Sequence, residues 1–449
     1  MTALLEMRQQ VQTLVKAEQY SQALPIAQEL WDEGQPRDKW DGFNLAKCLR
    51  KTGQSEAALA VCQSVRSLDS HFAAIDNLEG WCEYDIHVKP LQNAGDTPEE
   101  EGDGASTGLD QAIAAVDRIL TLTKQEKFSP FTWVVLTISK LLVASGGEEK
   151  ARQALSYLDR LSPQLLETPK PSPFLKPKEG TVSASEYETY ALRRCKALLY
   201  AGEYAKCIDF ANSELAAFPT RMGAYDVWLS YYRAKAYGAS GQADAACKEL
   251  RRLVSMKPEW YMEHLIAEME FKQGNVEPSW LSCVKASTMT GKPGAKVKLF
   301  TLMARVLDAK GDRDCARNHL QLHIALQREV GGRIREDVRE LATSHQIECT
   351  DGKFEVRPSS EYMRELRPFW AQQMTGSLPR SLGRIKSLLD DRAGFIRTDD
   401  GTDIYFQLRD FEGPRSALAP GTKVSFAIVD SFDRKKGKAS SRAEMVRAE

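Results

Sequence analysis

Residues 225–258 read YDVWLSYYRAKAYGASGQADAACKELRRLVSMKP: two amphipathic stretches meet at Gly241, and Pro258 closes the second. Helices need a residue tolerant of positive φ where one ends and the next turns back, and glycine supplies it at no steric cost. Five more turns of this kind contain Gly53, Gly146, Gly202, Gly274 and Gly311. Seven residues before the six glycines stand Ala46, Ser139, Cys195, Ala234, Ala267 and Ala304, and five after them stand Ala58, Ala151, Cys207, Ala246, Ser279 and Ala316. All twelve are small. Small residues at fixed places on both helices let two backbones pack closely, so the register predicts a stack of helix-turn-helix units. Pro163, Pro219 and Pro258 each fall seventeen residues past a glycine and are expected to end their units.

This pattern resembles tetratricopeptide (TPR) repeats, whose period is about 34 residues. Ala23 and Ala57 are separated by that distance, with Tyr20 in the first turn, so a seventh unit is expected at the N-terminus. The repeats are divergent, because the Trp-Leu-Gly-Tyr signature is largely absent and the glycine spacing varies. The expected fold is mainly α: a right-handed TPR-like solenoid over 1–330, then a helix-hairpin-helix junction over 331–379, then a small β-domain over 380–449. Asn93 to Gly108 carries Asp96, Glu99, Glu100, Glu101 and Asp103 among small residues and reads as a flexible acidic loop. Pro163 to Ser183, with Pro169, Pro171, Pro173 and Pro177, reads as an extended linker.

From Leu382 onward helical periodicity gives way to short β-prone runs: Gly383–Lys386, Ala393–Ile396, Asp403–Phe406 and Lys423–Ile428. Asp400-Gly401 supplies a turn between the second and third. The order suits a five-stranded oligonucleotide-binding (OB) type barrel, and the residues resemble the cold-shock domain. Gly383-Arg384-Ile385-Lys386 matches that family's opening strand, Gly394-Phe395-Ile396 the end of its first RNA-binding motif, and Asp403-Ile404-Tyr405-Phe406 the second. The resemblance implies that Phe395 and Tyr405 stack against bases. It also shows a depleted copy: Ser387 and Ala393 stand where a Trp and a Phe are usual, and Gln407 and Leu408 replace a His and a Phe. Arg384, Lys386, Arg392 and Arg397 can contact phosphate, and Arg434, Lys435, Lys436 and Lys438 form a basic tip. The competing reading places Phe395 and Tyr405 in the barrel core and has the barrel bind protein or simply pack on the solenoid.

Composition narrows the function classes. With 42% hydrophobic and 27% charged residues the chain is ordinarily globular, and its net charge of −1 gives no global attraction to nucleic acid. No apolar run approaches the roughly 18 residues needed to span a bilayer. The nine cysteines include no CxxC pair, and Met1 to Glu18 lacks the apolar core of a signal peptide, so a cytoplasmic protein with reduced thiols is expected.

Local charge is more informative. Six residues before the glycines stand Lys47, Lys140, Lys196, Lys235, Glu268 and Arg305, and in TPR-like arrays this position faces the concave groove. Arg194 and Arg233 share another register position, with Trp228 and Tyr231 nearby as candidate stacking surfaces. The groove therefore suits a single-stranded backbone or an acidic peptide, the alternative being an ordinary solvated helix face.

Cys315, His319 and His323 follow at i, i+4 and i+8 along a predicted helix, a stripe that spans two turns instead of converging on a metal. Gly291 to Lys296 lacks the spacing of a phosphate loop, and no hydrolase, kinase or metalloprotease motif occurs. The expectation is a binding protein without cofactor or metal and not an enzyme. The solenoid is expected to hold a protein or nucleic-acid strand and the barrel a single strand of RNA or DNA, in stress response, translation control or defence. The alternative is a pure protein-interaction scaffold.

Overall fold

The structure is a computed structural model that describes residues 2–33, 37–92, 108–167, 185–217, 225–350, 353–354, 356–377, 380–389, 392–433 and 438–449. Most of the expected acidic loop and Pro-rich linker lies outside these residues. The chain divides into two compact units at Tyr232/Arg233, inside one helix, so the second unit holds the last repeats, the junction and the barrel together.

The first unit contains α1 (Thr2–Lys16), α2 (Tyr20–Glu33), α3 (Lys39–Lys51), α4 (Ser55–Leu68), α5 (Ala73–Glu83), α6 (Leu109–Leu122), α7 (Phe131–Ala144), α8 (Glu148–Leu158), α9 (Glu186–Tyr200) and α10 (Tyr204–Ala217). α11 (Tyr225–Ala239) crosses into the second unit, followed by α12 (Ala243–Met256), α13 (Trp260–Lys272), α14 (Val276–Thr288), α15 (Val297–Ala309) and α16 (Arg313–Glu329). The helices pair as the glycine register requires. All six turn glycines have φ between +75° and +86°. None of the twelve small register residues is more than 1% exposed. Cys195 and Cys207 meet sulfur to sulfur at 3.6 Å, and Ser279 Oγ donates to the Ala267 carbonyl at 2.8 Å. TPR-like helical repeats are therefore what the chain builds.

At five of the turns the residue after the glycine donates across the helix end, for example Asn275 N–H to the Glu270 carbonyl at 2.9 Å, which satisfies a carbonyl that the last helical turn orphans. A Cβ at Gly274 would meet nothing within 4 Å, so only its φ of +81° demands glycine. Gly274→Ala is expected to cost about 1–2 kcal/mol through that strain alone. Urea titration checks this, and a variant as stable as the parent would show that the turn relaxes freely.

The register undercounts the repeats. In α1/α2 the left-handed position is taken by Glu18 (φ +56°), and Gln19 N–H donates to the Leu14 carbonyl in the same capping pattern. Among the described residues α5 and α6 form an eighth pair, against the seven units expected, with Gly108 (φ +111°) immediately before α6. α5 runs on through a wider helical turn at Tyr84–Val88. Ion pairs about one repeat apart tie neighbouring units: Arg8–Asp41 at 2.7 Å, Arg50–Asp85 at 2.7 Å and Arg118–Glu83 at 2.7 Å.

Beyond the repeats, α17 (Glu336–Ser344), a hairpin of β1 (Cys349–Thr350) and β2 (Lys353–Phe354), and α18 (Ser359–Ser377) form the junction. α18 packs on α14 and α16, the second helices of the last two repeats. Its Trp370 is 1% exposed, stacks on Phe300 with centroids 5.7 Å apart, and donates its indole N–H to His319 Nε2 at 2.9 Å. Phe369 packs 6.0 Å from Trp280, so both aromatics serve the repeat side of the junction.

The last domain is a closed barrel of β3 (Arg380–Leu388), β4 (Ala393–Thr398), β5 (Asp403–Gln407), β6 (Lys423–Asp433) and β7 (Lys438–Ala448), in the order β3-β4-β5-β7-β6. β5 and β7 pair in parallel and every other neighbour antiparallel, the OB-type arrangement. Ile385, Ile396, Ile404, Phe406, Val424, Phe426, Ala443 and Val446 fill the inside. Gly394 lets β4 pass over this core, since a Cβ there would lie 2.7 Å from the Phe406 ring.

Candidate nucleic-acid interface

Strand alternation decides which side chains the barrel shows to solvent. Ile396, Ile404 and Phe406 point inward, so Phe395, Arg397, Asp403 and Tyr405 point outward on β4 and β5. Phe395 and Tyr405 are directly paired across the two strands, partly exposed, and meet edge to face with centroids 5.9 Å apart and planes 72° apart. Neither ring belongs to the core, which removes the reading that placed them there. These are the second and third strands of the barrel, the pair whose outer face binds oligonucleotides and oligosaccharides in OB folds generally. The repeats touch the barrel from its other side, through β6 on α12.

Around the rings the expected cations are present but engaged. Arg397 donates to both carboxylate oxygens of Asp403, at 2.8 and 3.0 Å, and Lys386 donates to the same carboxylate. The two cations hold the Asp403 carboxyl well below the usual carboxylate range, with Arg397 the larger influence. Arg384 is exposed and donates to the Gly421 carbonyl at 3.1 Å, and Arg392 is exposed beside β4. Ala393 is buried and Leu408 packs against the barrel core, so two of the positions where the cold-shock pattern is depleted serve packing. Arg434, Lys435 and Lys436, and the side chain of Lys438, lie outside the described residues.

The groove candidates fall in both units. In the first unit Lys47, Lys140, Arg194 and Lys196 are partly exposed on α3, α7 and α9. Arg194 pairs with Asp159 at 2.6 Å, Lys196 Nζ lies 5.7 Å from the Tyr200 ring centre, and Lys140 donates to the Gln92 carbonyl at 3.3 Å. Tyr231 corrects the expectation of a stacking surface. It is 7% exposed and packs edge to face on Trp228, which is itself partly exposed. In the second unit Arg233 pairs with Glu249 and Arg305 with Asp337, each at 2.9 Å, while Lys235 is partly exposed. The register located Arg194, Arg233 and Arg305 but not their acidic partners, which come from other elements.

His319 and His323 are packing residues. His319 Nδ1 lies 2.7 Å from the Cys315 carbonyl and Nε2 accepts from Trp370, which fixes the neutral Nδ1–H tautomer and leaves neither nitrogen for a metal. Among the described residues no three His, Cys, Asp or Glu side chains converge as a metal site requires. Lys296, in the stretch that loosely resembles a phosphate loop, is 3% exposed and donates to the carbonyls of Ala286, Ser287 and Met289, capping α14. No helix among the described residues is long and apolar enough to cross a membrane.

These features define a helical-repeat protein that ends in an OB-type barrel. No protein-family model matches the chain, and no curated protein matches it. Among solved structures it is similar to a tetratricopeptide repeat protein from Parabacteroides merdae, at 13% identity over 77% of this chain and 100% of that one, with a TM-score of 0.31. A human IFIT1 dimer with m7Gppp-AAAA is similar at 12% identity over 82% of this chain and 77% of that one, with a TM-score of 0.38. The P58(IPK) TPR domain is similar at 14% identity over 77% of this chain and 97% of that one, with a TM-score of 0.24. The fold assignment rests on the chain's own turns, register and strand order.

Proposed function

We propose that this chain is a non-catalytic, cytoplasmic adaptor whose barrel binds single-stranded nucleic acid on the outer face of β4 and β5, while its repeats hold a protein or nucleic-acid strand. One observation carries the reading: Phe395 and Tyr405 stand off the core as an adjoining pair on the two strands OB barrels use for ligands. Every base has a π-face, so such rings favour single strands without demanding a sequence, and Arg384 and Arg392 at the margins suit the backbone.

Tyr405→Ala should weaken binding of a mixed-sequence single strand by about 1–3 kcal/mol. Fluorescence anisotropy at low salt measures this, with a thermal melt to verify the fold. Tyr405 lies outside the core, so the melt should hardly move. Binding unaltered in the folded Tyr405→Ala protein would remove the barrel from the interface.

A second reading, a protein-interaction scaffold with the barrel as a docking domain, is favoured by the acid pairing of Arg194, Arg233, Arg305, Lys386 and Arg397. Failure of the wild-type protein to bind single strands at low salt would select it.

A further inference from the structure

Asp403 engages two of the cations beside the ring pair. It stands on the outward face of β5, opposite Arg397 in the register, and receives the Arg397 guanidinium on both oxygens together with the Lys386 ammonium from β3. All three side chains lie on the outer face, outside the hydrophobic core of the barrel. A planar guanidinium fork accepts a carboxylate or a phosphate in the same bidentate geometry, so the two anions compete for it.

We propose that Asp403 is an internal competitor for backbone phosphate. It occupies Lys386 and Arg397 and so leaves strand binding on this face dependent on the Phe395–Tyr405 rings more than on charge. The inference rests on the reading of the barrel as a single-strand binder and concerns how that face is regulated. Asp403 keeps its charge throughout the neutral range, since the two cations hold its carboxyl well below the usual carboxylate value. A strand therefore has to displace the carboxylate to gain the two phosphate contacts. The cluster is partly exposed, at 32% for Asp403 and 52% for Arg397, so water and salt screen it and the competition is modest.

The test uses the full chain and a labelled mixed-sequence single-stranded RNA of roughly 12 nucleotides. Asp403→Asn should bind about three- to tenfold more tightly at low salt. Each phosphate contact on a single strand adds about 0.7 to the slope of log affinity against log salt, so the slope should steepen by about 0.7 to 1.4. Combining Lys386→Gln with Arg397→Gln should abolish the gain in Asp403→Asn, because the cations that the substitution releases are then missing. Asp403→Ser, which cannot bridge the two cations as Asn can, should give the same direction of change.

Wild-type binding that Tyr405→Ala weakens but that both Asp403 variants leave unchanged, in affinity and slope, would overturn this inference and leave the barrel reading standing. Weaker binding by both Asp403 variants would make the carboxylate a ligand contact and also overturn it. No wild-type binding at any salt concentration would overturn both.

Discussion

Replacing Trp370 with Ala is expected to remove most of the stability of the second unit. The indole is 1% exposed and lies flat on Phe300 at an interplanar angle of 7°. Truncating a buried aromatic costs about 3–5 kcal/mol. A second cost follows from the hydrogen bond, because His319 Nε2 is fully enclosed and loses its donor, adding about 1–3 kcal/mol. Against a typical stability of about 5–15 kcal/mol the sum leaves little margin. Trp370→Phe keeps one ring against Phe300 but removes the N–H together with part of the buried indole volume, so it should fall between the parent and Trp370→Ala. Chemical denaturation followed by far-UV circular dichroism reads both variants. A Trp370→Ala protein within about 1 kcal/mol of the parent would mean that α18 is not the cap of the last repeats.

The dependence of a terminal repeat on one long-range contact shows where sequence reading stops. The glycine turns and their small partners are legible because each is a constraint on one residue, a left-handed φ or a close backbone, that few residue types satisfy. Where Glu18 fills the left-handed position, that constraint leaves no letter to read. Gly394, Phe395 and Tyr405 are legible only through the resemblance to the cold-shock motifs, which leaves open whether the two rings face inward, and it is the folded strands that turn them outward.

The fifth strand, Lys438–Ala448, is obscured by its many polar residues, and Ala443 and Val446 are its described contributions to the core. The site's electrostatics depend on partners brought together by folding. Lys386 and Asp403 meet across the barrel, Arg194 and Asp159 across two repeats, and His319 and Trp370 across 51 positions. A count of cations by register sees the first member of each pair and overstates the free positive charge.

Acid should destabilise the second unit through the same His319. Burial lowers its pKa from 6.5 to about 4, with the Cys315 carbonyl opposing the shift only in part. In the unfolded chain the imidazole takes a proton below pH 6.5, and in the folded chain it does not until about pH 4. The unfolded state therefore binds more protons throughout that window, and stability falls as pH falls, by up to about 1.4 kcal/mol per pH unit and about 3 kcal/mol in total. Below about pH 4 both states are protonated and this contribution levels off. His323 and His264, also lowered by burial, act with the same sign. Glu263 and Asp410 act with the opposite sign, because burial raises their carboxyl pKa values and the folded state takes up their protons first. A comparison with His319→Gln isolates the imidazole, since a Gln amide can donate to the Cys315 carbonyl and accept from Trp370 without titrating. The difference in unfolding free energy between parent and variant, measured at intervals from pH 7.5 to 4.5, should shift steadily against the parent below pH 6.5. If the two proteins instead lose stability in parallel, His319 is not held neutral in the fold, and the hydrogen bond from Trp370 is not what fixes its tautomer.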